Sequence, residues 1–270
     1  LTGPLEGDGW YILHGGFRSD SQISSKDSLS VQGDMYSGRE GGSAQLIISL
    51  TQPPSPDVHT EVNISGGSIQ TSWNHRYSGR SDTTLMVSYQ RYARTDVIDE
   101  RRGTLDFDFQ HNLSTGERHQ FVWGFAYRYS SAQTEGSSAY SLIPPDRDTN
   151  LYSGFLQDQI ALVSDRLTLT VGAKLEHHYY SGFGVMPSAR IAWTPSTKST
   201  YWAAVSRALR SPSDLDDGMR VISAVFPGPG GMPVAVLNIG NPRFQDESLL
   251  AYEAGYRTLL RKNLSIDLAT

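Results

Sequence analysis

Gln120-Phe121-Val122-Trp123-Gly124-Phe125-Ala126-Tyr127-Arg128-Tyr129 alternates without a break. The odd positions are all aromatic and the even ones are small or polar. Successive residues of a strand point to opposite faces, so this stretch is a strand with one wholly aromatic face and one wet face. A strand on a soluble core rarely offers five rings on one side; a wall against hydrocarbon does. Its length is about the 9–11 residues that a tilted strand needs to cross a bilayer.

The same rhythm recurs outward from it. Leu105, Phe107 and Phe109 oppose Asp106, Asp108 and Gln110; Leu167, Leu169, Val171, Ala173 and Leu175 oppose Thr168, Thr170, Gly172, Lys174 and Glu176; Val185, Pro187, Ala189, Ile191 and Trp193 oppose Met186, Ser188, Arg190 and Ala192. Weaker blocks near residues 10–19, 27–38, 67–78, 83–94, 150–163, 199–209, 247–260 and 264–270 bring the expectation to about twelve strands. Connections alternate in length. Gly79–Asp82, Ser114–Arg118, Ser164–Arg166, Pro195–Lys198 and Arg261–Asn263 are short; residues 39–66, 95–102, 132–149 and 210–246 are long, and only Ser181–Gly184 breaks the pattern. Short turns at one rim and long loops at the other are the habit of transmembrane barrels. Tyr127, Tyr129, Tyr179, Tyr180, Trp193, Tyr201 and Trp202 gather near strand ends, as interfacial girdles do.

Composition excludes several classes. Only 38% of the 270 residues are hydrophobic and mean hydropathy is −0.39, yet aromatics reach 10% with 14 tyrosines. Disordered chains are poor in such residues; a wall with one greasy and one wet face averages to this value. A net charge of −5 with no basic tract argues against nucleic acid. The absence of cysteine removes disulfides and thiolate metal sites. No window approaches the length of a transmembrane helix, and Leu1-Thr2-Gly3-Pro4 has no leader character. The chain stops at Leu268-Ala269-Thr270 in mid-pattern, so we expect a portion of a longer barrel.

Chemistry-bearing motifs are few. Adjacent His177 and His178 point to opposite faces and so cannot share one ion; a rim position suits them. Asp214, Asp216 and Asp217 before Gly218 lack the later glutamate of a calcium loop, which leaves a solvated loop. Phe226–Gly231 is glycine-rich but opens no helix, as a phosphate cradle must. Asn63-Ile64-Ser65 is a glycosylation sequon only on a eukaryotic secretory route. Neither Gly-x-Ser-x-Gly nor His-Glu-x-x-His occurs, so no catalytic residue, cofactor or metal site is expected. A catalytic group assembled across the wall from Ser88, Asp108 and His111 is the enzyme alternative. Alternation places Arg76, Arg128, Lys174, Arg190 and Arg257 on the wet face among Asp106, Asp108, Asp158, Glu176 and Glu253. Two readings stand: cross-strand ion pairs, or outer basic residues that hold an anionic metal chelate. On the second, the candidate ligand-binding residues are Arg128, Lys174, His178, Tyr180, Arg190 and Arg210.

Tyr201-Trp202-Ala203-Ala204-Val205-Ser206-Arg207-Ala208-Leu209-Arg210-Ser211-Pro212-Ser213 resembles a barrel segment of TonB-dependent receptors, an aromatic and small-residue strand that exits through Arg-x-Pro-Ser. Asn241-Pro242, Glu247 and Tyr252-Glu253-Ala254-Gly255-Tyr256-Arg257 resemble the next strand of that family. Phe155-Leu156-Gln157-Asp158, Gly172-Ala173-Lys174-Leu175-Glu176 and Pro187-Ser188-Ala189-Arg190 resemble three earlier ones. The resemblance covers residues 103–270 and reaches the first hundred only as strand rhythm. It implies an all-β, antiparallel transmembrane barrel segment from a roughly 22-stranded barrel, with residues 1–270 part of one barrel domain. Long extracellular loops are expected near 39–66, 132–149 and 210–246. It also implies an outer-membrane receptor of a Gram-negative bacterium, not an enzyme, that imports a small-molecule cargo, foremost a ferric siderophore. Its partners would be the bilayer, the cargo and TonB, the last through the family's plug and TonB box, which these residues lack. A passive porin-like barrel is the transport alternative and a soluble β-sheet carbohydrate binder a third, which the aromatic outward faces disfavour. The apolar residues Val221, Ile222, Val225, Phe226, Val234, Val236, Leu237 and Ile239 make the 210–246 segment greasier than a solvated loop, so it either packs over the rim or serves as a lid.

Overall fold

The computed structural model describes residues 9–44, 58–96, 98–137 and 139–270. Its strands are β1 (Trp10–Gln22), β2 (Asp27–Ala44), β3 (Val58–Ser78), β4 (Ser81–Thr95), β5 (Asp99–Thr115), β6 (His119–Glu135), β7 (Tyr140–Leu142), β8 (Asp146–Val163), β9 (Leu167–His178), β10 (Gly182–Ser196), β11 (Ser199–Arg210), β12 (Met219–Pro227), β13 (Pro233–Ile239), β14 (Glu247–Arg261) and β15 (Leu264–Ala269), with a one-turn helix α1 (Asp214–Gly218). Twelve strands form one sheet in the order β1-β2-β3-β4-β5-β6-β8-β9-β10-β11-β14-β15, and β13-β12-β7 form a second. Every pairing is antiparallel. The large sheet stays open, with β1 and β15 at its edges.

No packed interior stands behind the sheet. Among the described residues the buried apolar side chains are Val62, Ala132, Ala139 and Pro212, so the large sheet is a single-layer wall. Register confirms its two faces. Leu105↔Tyr129, Phe107↔Tyr127, Phe109↔Phe125 and Leu113↔Phe121 share the apolar face; Asp106↔Arg128 and Asp108↔Ala126 share the polar one. Aromatic rings mark both ends of the apolar face. At the short-turn end, Trp73, His75, Tyr77, His111 and Trp123 run in file with centroids 4.5 to 6.0 Å apart, and Tyr201 stacks between Trp193 and Tyr256. At the other end lie Tyr127, Tyr152, His177 and Phe183. On β9 the two levels are Leu167, opposite Trp193, and His177, opposite Phe183. That interval is about 33 Å along the strand and, at a barrel's tilt, about the 25 Å height of a hydrocarbon-facing band.

Short turns join β1–β2, β3–β4, β5–β6, β8–β9, β10–β11 and β14–β15 at one rim. Four of these hairpins carry a register shift near the turn, at Arg76/Ser78, Ala161/Val163, Trp193/Ser196 and Leu259/Arg261, where an extra residue tightens the twist. Gly116 adopts φ 63° in one such turn, a conformation that favours glycine.

Three expectations change. The 39–66 segment is largely strand: the β2–β3 ladder continues through Arg39↔Asn63 to Ala44↔Val58, and the middle of the connection, 45–57, lies outside the described residues. Backbone ladders do not require hydrophobic alternation, and Gly38–Ala44 is polar on both faces, so periodicity ends before the strand does. Segments 132–149 and 210–246 likewise hold regular elements: β7 in the first, α1, β12 and β13 in the second. Asp158 belongs to the apolar face, opposite Phe121 and Val171, where it meets His119 Nδ1 at 2.7 Å. Leu151-Tyr152 and Phe155-Leu156 put apolar side chains on both faces of β8, which hides the parity.

Candidate functional site

At the long-connection rim the segment after β11 folds back over the polar face and is fastened there. Ser213 starts α1 with a reciprocal cap: its backbone N–H donates to Asp216 Oδ2 (2.9 Å), and the Asp216 N–H donates to Ser213 Oγ (3.3 Å). The box satisfies two helix-end donors and turns Asp214 toward the wall. There Asp214 accepts from the Tyr180 hydroxyl and from Arg102 Nη2. Arg102 Nε also donates to Glu100 at 2.8 Å. Asp217, one turn on, pairs with Arg147 Nη1 at 2.8 Å.

Arg147 is the centre of this fastening. Its side chain is only 7% exposed; it donates to the Tyr180 hydroxyl (2.8 Å) and to the Ile143 carbonyl (3.1 Å). Its guanidinium carbon lies 5.3 Å from the Tyr180 ring centroid. Backbone bonds reinforce it: Ile143 N–H to Gly218 O (2.9 Å), Ile222 N–H to Ala139 O (2.9 Å) and Asn241 N–H to Asp216 O (2.7 Å). The strap formed by residues 211–246 is thereby joined to the β6–β8 connection as one small sheet.

Electrostatics follow from this geometry. Burial works against the Asp214 carboxylate, but the bonds from Tyr180 and Arg102 and the nearby Arg102 and Arg147 charges outweigh it, so Asp214 is held below the usual carboxylate range. Burial raises the Tyr180 phenol; Arg147 opposes that shift, while the bond to Asp214 adds to it. Asp216 is lowered by the backbone and side-chain bonds from Ser213. The Asp214, Asp216 and Asp217 cluster is therefore a docked helix turn rather than a solvated loop. Among the described residues no group of three metal-ligating side chains converges.

Beneath the strap opens a cleft of about 560 Å³ lined by Tyr92, Arg102, Arg128, His178, Tyr180 and Asp214 among others. A second, of about 680 Å³, continues down the polar face past Arg128, Lys174, Glu176 and Phe155. The structure thus brings together Arg128, His178 and Tyr180, and adds Lys174 one level below. It does not bring in the other two candidates: Arg190 lies 4.8 Å over the Trp202 ring, about eight residues or ~26 Å down the wall from His178, and Arg210 pairs at 3.0 Å with Glu247 at a strand end. Candidate cations carry carboxylate partners: Arg128 with Asp106 at 2.6 Å and Lys174 with Glu176 at 2.6 Å. Arg102, Arg147, Asp214 and Asp217 were not among the expected site residues. Their one sequence signal is the Ser213-x-x-Asp216 spacing. His111 sits on the apolar face opposite Trp123, while Ser88 and Asp108 share the polar face, so these three do not meet.

The family model described as TonB dependent receptor-like, beta-barrel matches residues 6–270. No curated protein matches the sequence. Solved structures with this fold include the siderophore receptor PirA from Pseudomonas aeruginosa (14% identity, TM-score 0.67, 98% of this chain and 52% of that one). The siderophore receptor PirA from Acinetobacter baumannii is similar at 13% identity and TM-score 0.74 over 96% of this chain and 42% of that one. The copper transporter OprC gives 13% identity and TM-score 0.66 over 97% and 45%. The chain spans about half the length of the proteins it matches, and at such identity the likeness is one of fold.

Proposed function

The chain belongs to the TonB-dependent receptor-like β-barrel family, and on that premise we propose that it forms part of the barrel of an outer-membrane receptor that takes up a small metal chelate, foremost a ferric siderophore. Two members of the fold family are siderophore receptors by name and one a copper transporter, which supports metal-linked cargo over sugars. In this reading the apolar face meets lipid, the short turns face the periplasm, and the strap lies at the outer mouth above the cleft. Energy comes from the inner-membrane Ton complex through a plug region contributed by the longer protein.

The observation that carries the reading is the cleft under the strap. It sets aromatic rings (Tyr92, Tyr180) beside carboxylate-paired cations (Arg102, Arg128) at one end of a polar channel wall, a surface that would take a flat, aromatic-bearing chelate by stacking, with charge-assisted bonds made in exchange for those pairs. The test is cargo binding and TonB-dependent uptake by the full-length receptor, compared with a form deleted for residues 219–237. Normal surface expression with at least about tenfold weaker binding, about 1.4 kcal/mol, supports a strap that covers cargo. Unchanged uptake in a strain without TonB points instead to a passive pore.

A further inference from the structure

The six short turns share a feature that the cargo site does not use. Each carries one basic residue: Lys26, Arg80, Arg118, Arg166, Lys198 and Lys262, in chain order. All six side chains are exposed, and among the described residues none of them makes an ion pair. Between the strand bounds, Glu117 and Asp165 offset them, with Asp27 and Asp82 at adjoining strand starts and Arg261 adding a further cation at the end of β14. Among the described residues the connections at the opposite rim reverse the balance, with Arg220 and Arg243 against Asp96, Asp214, Asp216, Asp217 and Asp246. Wall cations are mixed, Arg128 and Lys174 with carboxylate partners and Arg190 and Arg207 with a ring, a hydroxyl and a carbonyl instead, so what sets the turn cations apart is their one-per-turn placement along a single rim.

Their spacing is set by the sheet. Each short turn joins neighbouring strands, so successive turns stand about 10 Å apart along the rim. Directly above them on the apolar face runs the ring file of Trp73, His75, Tyr77, His111 and Trp123, and the Trp193–Tyr201–Tyr256 stack. Phe121, two residues nearer the turn than Trp123 and stacked on His119, is three residues from Arg118, about 10 Å of strand, within reach of a long side chain that lays its stem along apolar surface and keeps its charge in water. A regular row of unpaired cations just below an aromatic belt presents point charges at the level of lipid headgroups.

We propose that the short-turn rim is a docking surface for anionic phospholipid, with Lys26, Arg80, Arg118, Arg166, Lys198 and Lys262 holding headgroup phosphates of the leaflet it faces. The partner's chemistry follows from the observations: a phosphodiester for the cations, acyl chains for the rings, and a net negative headgroup because the rim offers few carboxylates to a choline or ethanolamine. The assignment rests on the membrane-crossing reading of the wall but not on what cargo the mouth takes.

The test uses the full-length receptor in detergent, titrated with short-chain phosphatidylglycerol and phosphatidylcholine and read by native mass spectrometry. The wild type retains phosphatidylglycerol at least about tenfold better, given the strength of lysine and arginine attraction to anionic lipid, and the preference shrinks as salt rises. Neutralising four turns (Arg80→Gln, Arg118→Gln, Arg166→Gln, Lys198→Gln) brings it within about twofold, while Arg220→Gln with Arg243→Gln leaves it at the wild-type value. Should the fourfold variant fail to fold, the pairs Arg80→Gln/Arg118→Gln and Lys198→Gln/Lys262→Gln each lower the preference by about threefold or more. A preference that survives these changes, that falls equally with the opposite-rim pair, or that inorganic phosphate abolishes at equal concentration overturns the assignment. Heat-modifiable migration and cargo binding, measured on the same samples, separate a failed lipid site from a failed barrel or receptor.

Discussion

Phe155 of β8 lies across the ladder from Gly124 of β6, its ring over the backbone where a side chain would stand. A Cβ at position 124 would meet the Phe109 carbonyl oxygen at 2.3 Å and Phe155 Cε1 at 2.8 Å. The ring can turn aside, but the carbonyl is part of the ladder. Trp202 covers Gly255 in the same way and is itself capped by Arg190. Large rings on the polar face thus shield glycines and stiffen a sheet that has no second layer.

Gly124→Ala therefore weakens the wall by on the order of 1–3 kcal/mol, as overpacking does, although the added methyl group faces the polar side. Urea unfolding of the full-length protein in detergent or bilayer checks this. Wild-type stability in the variant would show that the close approach has no energetic consequence.

Phe125 sits one residue on, half-exposed on the apolar face between Phe109 and Gly154. Phe125→Arg should disfavour assembly by roughly 2–4 kcal/mol near the midplane of the bilayer. Ala126→Arg places the same charge beside Asp108 on the polar face and should change stability by less than about 1 kcal/mol. Equal losses of the heat-modifiable band in both would remove the assignment of faces.

Arg147→Met leaves Asp217 and the Tyr180 hydroxyl without their donor. Breaking one side of a buried pair costs about 3–5 kcal/mol, more than a strap of this size can spare. The expected outcome is local release: faster proteolysis and hydrogen exchange in residues 211–246, with the barrel's resistance to heat in detergent unchanged. Loss of the folded band as a whole would show that Arg147 supports the wall rather than the strap.

The strap's protection should also depend on pH in a definite way. Because Asp214 is held low, the docked form prefers the carboxylate; its stabilisation is complete above about pH 4 and is lost as pH falls through the lower docked value. Because Tyr180 is raised, the docked form prefers the neutral phenol; that contribution is complete below about pH 10 and is lost as pH rises through the docked value. His178, held below its usual range by burial beside Asp214, favours the docked form while neutral, a contribution complete above about pH 6.5 and lost as pH falls through its lower docked value. Hydrogen exchange around Asp214–Ile222 should therefore be flat from about pH 7 to 10 and rise outside that window; a transition inside it would mean that other groups control the strap.

The wall was legible where its two faces differ. Phe121 to Tyr129 and Leu105 to Phe109 give their strand and face from alternation alone, while their register comes from the structure. Arg39 to Ala44 gives nothing, because hydrogen bonds hold that ladder while both faces stay polar. Asp158 was placed on the wrong face because Phe155-Leu156 makes both parities apolar, and only pairing with β6 decides between them. At the mouth, His178, Tyr180 and Arg128 were visible as ring and charge at a strand end. Arg102 and Asp214 stand 112 positions apart, and no local spacing foretells a bond made only after two connections have folded toward each other. Only the Ser213-x-x-Asp216 spacing that caps α1 is local, and it was not read from the sequence.

The strap also bears on how such a wall can form. Most neighbours in the large sheet are also neighbours in sequence, so the wall can extend hairpin by hairpin with little loop closure at each step, the low-contact-order route to rapid assembly. Two junctions depart from this: β6 with β8, across β7, and β11 with β14, whose strands are parted by the longer segment 211–246. An unstructured tether of that length would add closure entropy that grows as the logarithm of its length. Here the tether is itself a hairpin, paired from Arg220↔Ile239 to Pro227↔Pro233, and it draws Arg210 and Glu247 into register. The element fastened over the polar face is also a splint across the longest connection within the large sheet.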